Sequence, residues 1–152
     1  MIDFSILLIT DSRDEKSDIS GKVIENLITE NGQRVVEKSI VGNDAEEIRK
    51  KLVRLRGDII ITVGGTGISG RDRTPDVIKP LLSKELPGFG ELFRSLSYGE
   101  IGTSTMMSRS FAGVYRNRIV VSLPGSTNAC TIAIRDIILK ECEHMLRELR
   151  KE

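Results

Sequence analysis

The stretch Asp58-Ile59-Ile60-Ile61-Thr62-Val63-Gly64-Gly65-Thr66-Gly67 decides the fold. Its first six residues form an almost continuous apolar, β-branched run, which is typical of a strand buried on both faces of a sheet. Glycines follow at once, so the strand ends in a turn where the backbone can approach a ligand closely. Such a strand and turn indicate an α/β domain with a ligand site at the carboxyl edge of its sheet.

Strand and helix patterns alternate on the N-terminal side of this stretch. Apolar residues predict strands over 4–10 and 35–41, and apolar residues at helical spacing predict a helix over 19–28 between them. A capping-box pattern of Asn43 and Glu46 then opens a second helix before the central strand begins.

The alternation continues on the C-terminal side. Thr74-Pro75 is typical of an N-cap followed by a first helical residue, and Pro80 predicts a kink or split in that helix. A second short helix is expected over 89–96. The residues on its apolar side are Leu92, Phe93 and Leu96. Residues 97–110 are rich in Ser, Thr and Gly, which predicts loop or irregular turns.

The last third of the chain completes the α/β pattern. Residues 111–115 and 118–123 alternate like strands joined by a tight turn at Arg116-Asn117, and a final helix is expected over 129–149. Alternating elements with continuous apolar strands predict an α/β domain with a mostly parallel sheet. The chain has 152 residues and no linker or repeat, which predicts one domain spanning 1–152.

Composition excludes several classes of function. Lys and Arg number 23 against 22 Asp and Glu, so no basic excess points to nucleic acid. A lone His144 excludes a His-rich metal site. No apolar run is long enough to span a membrane. The N-terminal residues Met1-Ile2-Asp3-Phe4 lack the basic start of a signal peptide. Cys130 and Cys142 lie about 18 Å apart along one predicted helix, too far for a disulfide. Two unpaired thiols fit a reducing cytoplasm.

Three loops are expected at the carboxyl ends of the strands, where open α/β sheets bind ligands. They span Asp11 to Asp18, Gly64 to Thr74 and Pro124 to Asn128. Two of them carry glycines and lead into helices, which suits phosphate groups because helix N-termini offer unpaired N–H groups.

The second loop matches no common nucleotide motif well. Gly65 to Gly70 reads G-x-G-x-x-G, but the helix begins only near Pro75, and Glu85 lies beside a Pro-Gly pair instead of at a strand end. Both features disfavour binding of a nicotinamide dinucleotide. Arg71-Asp72 stands where a P-loop needs Lys followed by Ser or Thr.

The charges in this loop leave two interpretations open. In the first, Asp72 holds Mg²⁺ while Arg71 or Arg73 pairs with phosphate oxygens. In the second, the loop is a long turn with a solvated charge cluster, and Asp72 accepts hydrogen bonds from nearby backbone N–H groups.

A set of motifs in a fixed order resembles the MogA/MoaB family of molybdenum cofactor biosynthesis, the MoaB branch above all. The resemblance covers nearly the whole chain. The motifs are Thr10-Asp11-Ser12-Arg13, Ser20-Gly21, Val63-Gly64-Gly65-Thr66-Gly67, Arg71-Asp72, Thr74-Pro75, Glu85-Leu86-Pro87-Gly88-Phe89-Gly90-Glu91, Ser108-Arg109 and Ser122-Leu123-Pro124-Gly125-Ser126.

The resemblance implies a molybdopterin-binding fold, in which a three-layer sandwich places helices on both sides of the sheet. It implies that the chain is a molybdopterin adenylyltransferase, which uses Mg²⁺ to transfer AMP from ATP to the terminal phosphate of molybdopterin and releases pyrophosphate. It also implies self-association as a trimer or hexamer, whereas the charge balance and the short apolar runs already predict no nucleic acid and no membrane as partner.

The resemblance also implies roles for individual residues. Asp72 would be catalytic and would hold Mg²⁺. The residues expected to bind the nucleotide phosphates are Gly64, Gly65, Thr66, Gly67 and Arg71. The residues expected to bind molybdopterin are Ser104, Ser108, Arg109, Gly125 and Ser126.

One position departs from the family pattern. A second catalytic Asp usually stands two residues after a Val, where this chain has Asn43, followed by Asp44. Either Asp44 takes over as a catalytic residue, or one of these two residues simply caps the following helix. A protein that binds molybdopterin without adenylylating it is therefore the alternative function.

Overall fold

The computed structural model describes residues 1–12 and 15–151, with no account of the side chains of 15–18. Within these ranges the strands form a six-stranded sheet of order β2-β1-β3-β6-β5-β4. The strands are β1 (Asp3–Ile9), β2 (Arg34–Val41), β3 (Ile59–Val63), β4 (Lys84–Glu85), β5 (Phe111–Tyr115) and β6 (Arg118–Leu123). Strands β2, β1, β3 and β6 are parallel to one another. Strand β5 pairs antiparallel with β6, and β4 pairs antiparallel with β5.

Helices cover both faces of this sheet. They are α1 (Glu15–Glu30), α2 (Ala45–Arg54), α3 (Thr74–Ile78), α4 (Pro87–Ile101), α5 (Thr127–Ala133) and α6 (Leu139–Leu149). Short 3₁₀ helices span Lys79–Leu81 and Gly102–Met107, and a π-helical turn at Ile134–Ile138 joins α5 to α6. No helix of the described residues is long and apolar enough to cross a membrane.

The central strand divides two cores, as its sequence predicts. Ile59, Ile61 and Val63 pack in the core under α1, α4, α5 and α6, whereas Ile60 packs in the core under α2 and α3. This alternation follows from the two-residue period of a strand. The predicted three-layer α/β sandwich with a mostly parallel sheet is therefore confirmed.

Two helix starts differ from the sequence prediction. Asp44, not Asn43, is the N-cap of α2, and its carboxylate accepts from Glu47 N at 3.0 Å. Thr74 is not an N-cap, because it already lies in α3 and its hydroxyl donates to the carbonyl of Gly64 at 2.8 Å. The predicted split at Pro80 is confirmed, since α3 ends at Ile78 and a 3₁₀ turn follows.

The region after residue 86 is more helical than predicted. Helix α4 runs through Ile101, and a 3₁₀ helix continues to Met107, so 97–110 is not mainly loop. The buried side of α4 also differs from the prediction. Phe93 and Ser97 are buried one turn apart, while Leu92 and Leu96 are 58% and 43% exposed.

The C-terminal elements follow the prediction closely. Arg116 and Asn117 have φ values of 47° and 61°, which fit the tight turn between β5 and β6. The predicted final helix is present, with its π-helical turn inside. Cys130 and Cys142 are both free and buried, and burial raises the pKa of Cys130 to about 12. Neither thiol is therefore placed as a nucleophile.

Candidate functional site

The glycine-rich turn after β3 is held in a conformation that requires glycine. Gly64 and Gly65 have φ values of 105° and 73°, and a Cβ on Gly64 would overlap the carbonyl oxygen of Ile9. The Gly64 N–H donates to Leu123 O at 2.8 Å, and Thr74 N donates to Gly65 O at 3.1 Å. These bonds fix the turn against β6 and α3, and the turn lies close to the Ile9 carbonyl at the end of β1.

The same turn presents backbone N–H groups. Within residues 1–12 and 15–151, the N–H groups of Thr66 and Gly67 have no acceptor. Thr66 as a whole is only 2% exposed, so the half-buried Gly67 is the more accessible of the two residues. Backbone N–H groups in a glycine-rich turn suit anionic oxygens, phosphate above all.

Asp72 folds back over this turn. Its Oδ2 accepts from Ser69 N at 3.0 Å, and a Cβ on Gly67 would lie 2.6 Å from the same oxygen. The hydrogen bond from Ser69 N is the contact that the second sequence interpretation predicts, and the role of Asp72 toward Mg²⁺ stays a prediction. No cluster of three or more His, Cys, Asp or Glu suited to a metal occurs in the described part of the chain. Asp72 is the carboxylate of this turn that could ligate a hard cation such as Mg²⁺.

Asn43 faces the turn where the family pattern has an Asp. Its Oδ1 is buried without a hydrogen-bond partner and would lie 3.1 Å from a Cβ on Gly65. Its backbone N–H and its side-chain amide donate to the two carboxylate oxygens of Asp11 at 2.9 and 3.3 Å. Asp44, by contrast, is exposed and caps α2.

Asp11 brings a negative charge to this group. Hydrogen bonds from the backbone and side chain of Asn43 lower the pKa of Asp11, and the charges of Arg71 and Arg73 lower it further. The carboxylate is therefore ionised at neutral pH. Asp11 and Asn43 meet because β1 and β2 are neighbours in the sheet and both residues follow the carboxyl ends of those strands.

A cavity of about 130 Å³ opens between α4, the 3₁₀ helix and α5. Ser97 and Thr105 line it, are 6% and 5% exposed, and have buried hydroxyls with no hydrogen-bond partner in the described residues. Buried polar groups are almost always hydrogen-bonded in native proteins. The two orphaned hydroxyls in this cavity are therefore groups that a ligand with polar atoms, or a bound water, could satisfy. The apolar part of the lining consists of Phe93, Ile101, Pro124, Ala129 and Ile132.

The residues predicted to bind molybdopterin are distributed unevenly around this cavity. Ser108 and Ser126 line it, and Ser126 also caps α5. Ser104 is exposed and does not line it. The carbonyl of Gly125 accepts from the hydroxyl of Ser20 on α1 at 3.1 Å, which fixes the loop beside the cavity.

The cavity and the glycine turn meet at one segment. Ser108 lines the cavity, and the backbone N–H of the next residue, Arg109, donates to Thr66 O at 2.8 Å. Arg109 itself bonds to protein acceptors through its guanidinium, as described below. The two halves of the candidate site are therefore neighbours along the carboxyl edge of β3 and β6.

Three residues of the site had no role in the sequence prediction, namely Asp11, Ser97 and Thr105. Asp11 stands directly after β1 in a loop expected at the ligand edge, which is a usable signal. Ser97 lies four residues after Phe93, so helical spacing also places it on the buried side of α4. Thr105 carries no such signal, because its burial depends on the packing of the 3₁₀ helix.

Comparisons with known proteins agree on a single family. Residues 5–144 match a family described as "Probable molybdopterin binding domain". The chain is 43% identical to molybdenum cofactor biosynthesis protein B of Staphylococcus epidermidis, over 99% of this chain and 90% of that protein. A crystal structure of a molybdenum cofactor biosynthesis protein B superposes with a TM-score of 0.93 at 39% identity, covering 99% and 97% of the two chains. The tungsten cofactor synthesizing protein MoaB from Pyrococcus furiosus superposes with a TM-score of 0.84 at 34% identity, covering 99% and 98%.

Proposed function

Because the chain belongs to the MoaB branch of the MogA/MoaB family of molybdenum cofactor biosynthesis proteins, we propose that it is a molybdopterin adenylyltransferase. It would transfer AMP from ATP to the terminal phosphate of molybdopterin. The observation that carries this proposal is the junction at Ser108-Arg109, where the cavity that contains the Ser97 and Thr105 hydroxyls borders the glycine turn. A pterin in the cavity and a nucleotide on the turn would have their phosphates side by side.

The proposed reaction needs no nucleophile from the protein. A phosphate oxygen of molybdopterin bonds to the α-phosphorus of ATP, the bond from that phosphorus to the bridging oxygen of the β-phosphate breaks, and pyrophosphate leaves. Catalysis of this kind rests on positioning and charge stabilisation. The N–H groups of Thr66 and Gly67 would bind the nucleotide phosphates, and Arg71, exposed on the same loop, would pair with phosphate oxygens.

Asp72 is the residue proposed to hold Mg²⁺. The ion supplies positive charge that offsets the charge developing on the phosphates. Asp72 fits this role because its Oδ2 is fixed by Ser69 N, so the direction of the carboxylate is set before a ligand arrives. A preorganised group of this type avoids the cost of reorienting during the reaction.

Molybdopterin is proposed to occupy the cavity, with polar pterin atoms bonded to Ser97 and Thr105. The apolar lining would contact the faces of the ring, and Ser108 and Ser126, which also line the cavity, would bind the phosphate of molybdopterin. The free protein then carries two unsatisfied hydroxyls, which destabilise it slightly in exchange for specificity.

Replacing these hydroxyls is expected to separate stability from binding. Ser97→Ala and Thr105→Val should each raise the free energy of unfolding by about 1 kcal/mol and weaken molybdopterin binding about three- to tenfold. Thermal denaturation and pterin fluorescence titration measure the two effects. Thr62→Val is the matched control, because the Thr62 hydroxyl is buried but donates to Ser122 Oγ at 2.7 Å. The control should lose stability and keep its pterin affinity. If Ser97→Ala and Thr105→Val also lose stability and keep pterin affinity, the two hydroxyls do not bind the pterin.

A second candidate function follows from Asn43. The residue facing Gly65 carries no charge, and its nearest carboxylate partner, Asp11, is exposed and bonded to Asn43 itself. A protein that binds molybdopterin without adenylylating it would fit this arrangement. Pyrophosphate release by the wild type in the presence of MgATP and molybdopterin separates the two functions, because only the adenylyltransferase produces it.

Asp44 is tested in the same assay. Because Asp44 caps α2, we expect Asp44→Ala to lose about 1 kcal/mol of stability and to keep pyrophosphate release. Asp44→Asn is the matched control. Asn caps helices as well as Asp does, and the substitution removes only the charge. If both variants lose turnover while Asp44→Asn keeps wild-type stability, Asp44 is catalytic and the capping explanation is insufficient.

Self-association as a trimer or hexamer is also part of the proposal. Several large apolar side chains of α4 and the following 3₁₀ helix are more than 40% exposed, which favours coverage by a protein surface. They are Leu92, Leu96, Tyr98, Ile101, Met106 and Met107. Analytical ultracentrifugation measures the assembly directly.

A further inference from the structure

Arg109 is bound to the loop that carries Asp72. Its Nε donates to Gly67 O at 2.8 Å, and its Nη2 donates to Asp72 O at 2.8 Å. Nη1 donates to both carboxylate oxygens of Asp76 at 3.0 and 3.2 Å. All three guanidinium nitrogens therefore donate to protein acceptors within and just after the loop 67–73, called here the Asp72 loop.

These bonds leave few N–H groups of the Arg109 guanidinium free to donate to a phosphate. Arg109 is expected from family resemblance to contact molybdopterin, but a direct contact would compete with bonds that the guanidinium already makes. The fork of an Arg side chain suits paired acceptors held at fixed spacing, which Lys does not replace. The Arg109 guanidinium also lowers the pKa of Asp76, so the carboxylate stays charged to lower pH than usual.

The segment that carries Arg109 is itself anchored. Nη1 of Arg94 donates to the carbonyls of Ser108 and Ser110 at 3.3 and 2.9 Å, one residue on each side of Arg109. The Arg109 backbone N–H bonds to Thr66 O. A fixed segment thus holds a side chain that spans the loop from Gly67 to Asp76.

We propose that Arg109 is a positioning residue that holds the Asp72 loop in place through Gly67, Asp72 and Asp76, instead of binding the molybdopterin phosphate. The importance of this role for catalysis rests on the proposed function, since it is Asp72 that is positioned. Asp76 then helps to hold the loop by accepting hydrogen bonds from Arg109, although it contacts no proposed substrate.

Hydrogen–deuterium exchange of the free protein tests the positioning role without any ligand. Arg109→Lys keeps the positive charge and loses the fork, and Asp76→Asn keeps the shape and loses the charge. Both should speed exchange of the amides over 66–74 about tenfold. Arg34→Lys is the matched control. Arg34 donates two hydrogen bonds to the carboxylate of Asp3, at 2.8 and 3.0 Å, and this pair lies outside residues 66–74. Unchanged exchange over 66–74 in both variants would overturn the proposal.

Ligand affinities distinguish positioning from direct contact. With a MgATP analogue that carries a methylene group between the α- and β-phosphates, calorimetry should show affinity reduced about tenfold or more in both variants. Molybdopterin affinity should stay within about twofold of the wild type. Loss of molybdopterin affinity in Arg109→Lys but not in Asp76→Asn would overturn the proposal in favour of phosphate contact. If the wild type binds no MgATP analogue, the proposed function fails, and the exchange experiment still decides the role of Arg109.

Discussion

Replacing Asp72 by Asn is expected to lower the rate of molybdopterin adenylylation about 10²- to 10³-fold while leaving the fold intact. The variant loses the carboxylate charge that is proposed to hold Mg²⁺. It keeps an oxygen that can accept from Ser69 N, as Asp72 Oδ2 does at 3.0 Å, so the turn should keep its shape. Pyrophosphate release under saturating MgATP and molybdopterin measures the rate, and circular dichroism with thermal denaturation measures the fold.

A carboxylate outside the site provides the control. Asp136 pairs with Arg135 at 2.8 Å in the π-helical turn between α5 and α6, and Asp136→Asn removes the same charge from the chain. This control should keep wild-type turnover. Full turnover in Asp72→Asn would remove Asp72 from the catalytic account, and equal loss in both variants would trace the effect to net charge.

Replacing Gly64 by Ala is expected to destabilise the protein by about 3–5 kcal/mol, one of the largest effects of any single substitution in the site. Two costs add here. The φ value of 105° is strained for any residue with a Cβ, and that Cβ would overlap the Ile9 carbonyl of the neighbouring strand. Neither group can move aside easily, because both belong to the backbone at the end of the sheet. Denaturant unfolding monitored by circular dichroism measures the loss.

Gly70 offers the matched control in the same loop. A Cβ on Gly70 has no neighbour within 4 Å, and Gly70 is not among the residues with positive φ. Gly70→Ala should therefore change stability by no more than about 0.5 kcal/mol. A Gly64→Ala variant as stable as Gly70→Ala would show that the turn can relax and that its shape is not fixed by the sheet.

The central part of the fold could be predicted because its signals are local. The apolar run 59–63 and the glycines after it specify a buried strand and a turn without reference to the rest of the chain. The β5–β6 hairpin is equally local, since Arg116-Asn117 determines the turn type. The Pro80 split follows from the chemistry of proline alone.

The parts that sequence reasoning missed depend on packing between distant elements. Helix α4 extends through Ser97 despite the weak helix propensity of Ser and Gly, because Phe93 and Ser97 are buried against the core. The contact between Asp11 and Asn43 requires β1 and β2 to be neighbours, which no local pattern specifies. The capping-box pattern places the start of α2 at Asn43, one residue before the observed cap Asp44, and a shift of this size is normal at helix ends.

The most direct test of the central claim follows the phosphorus atoms of ATP. Wild-type protein, Mg²⁺ and molybdopterin are incubated with ATP labelled either at the α- or at the γ-phosphate, and the products are separated by chromatography. We expect α-label in a molybdopterin adduct and an equal amount of γ-label in pyrophosphate, both lost in Asp72→Asn. Molybdopterin that binds but acquires no α-label, with no pyrophosphate formed, would contradict the proposed adenylyl transfer and establish the binding protein instead.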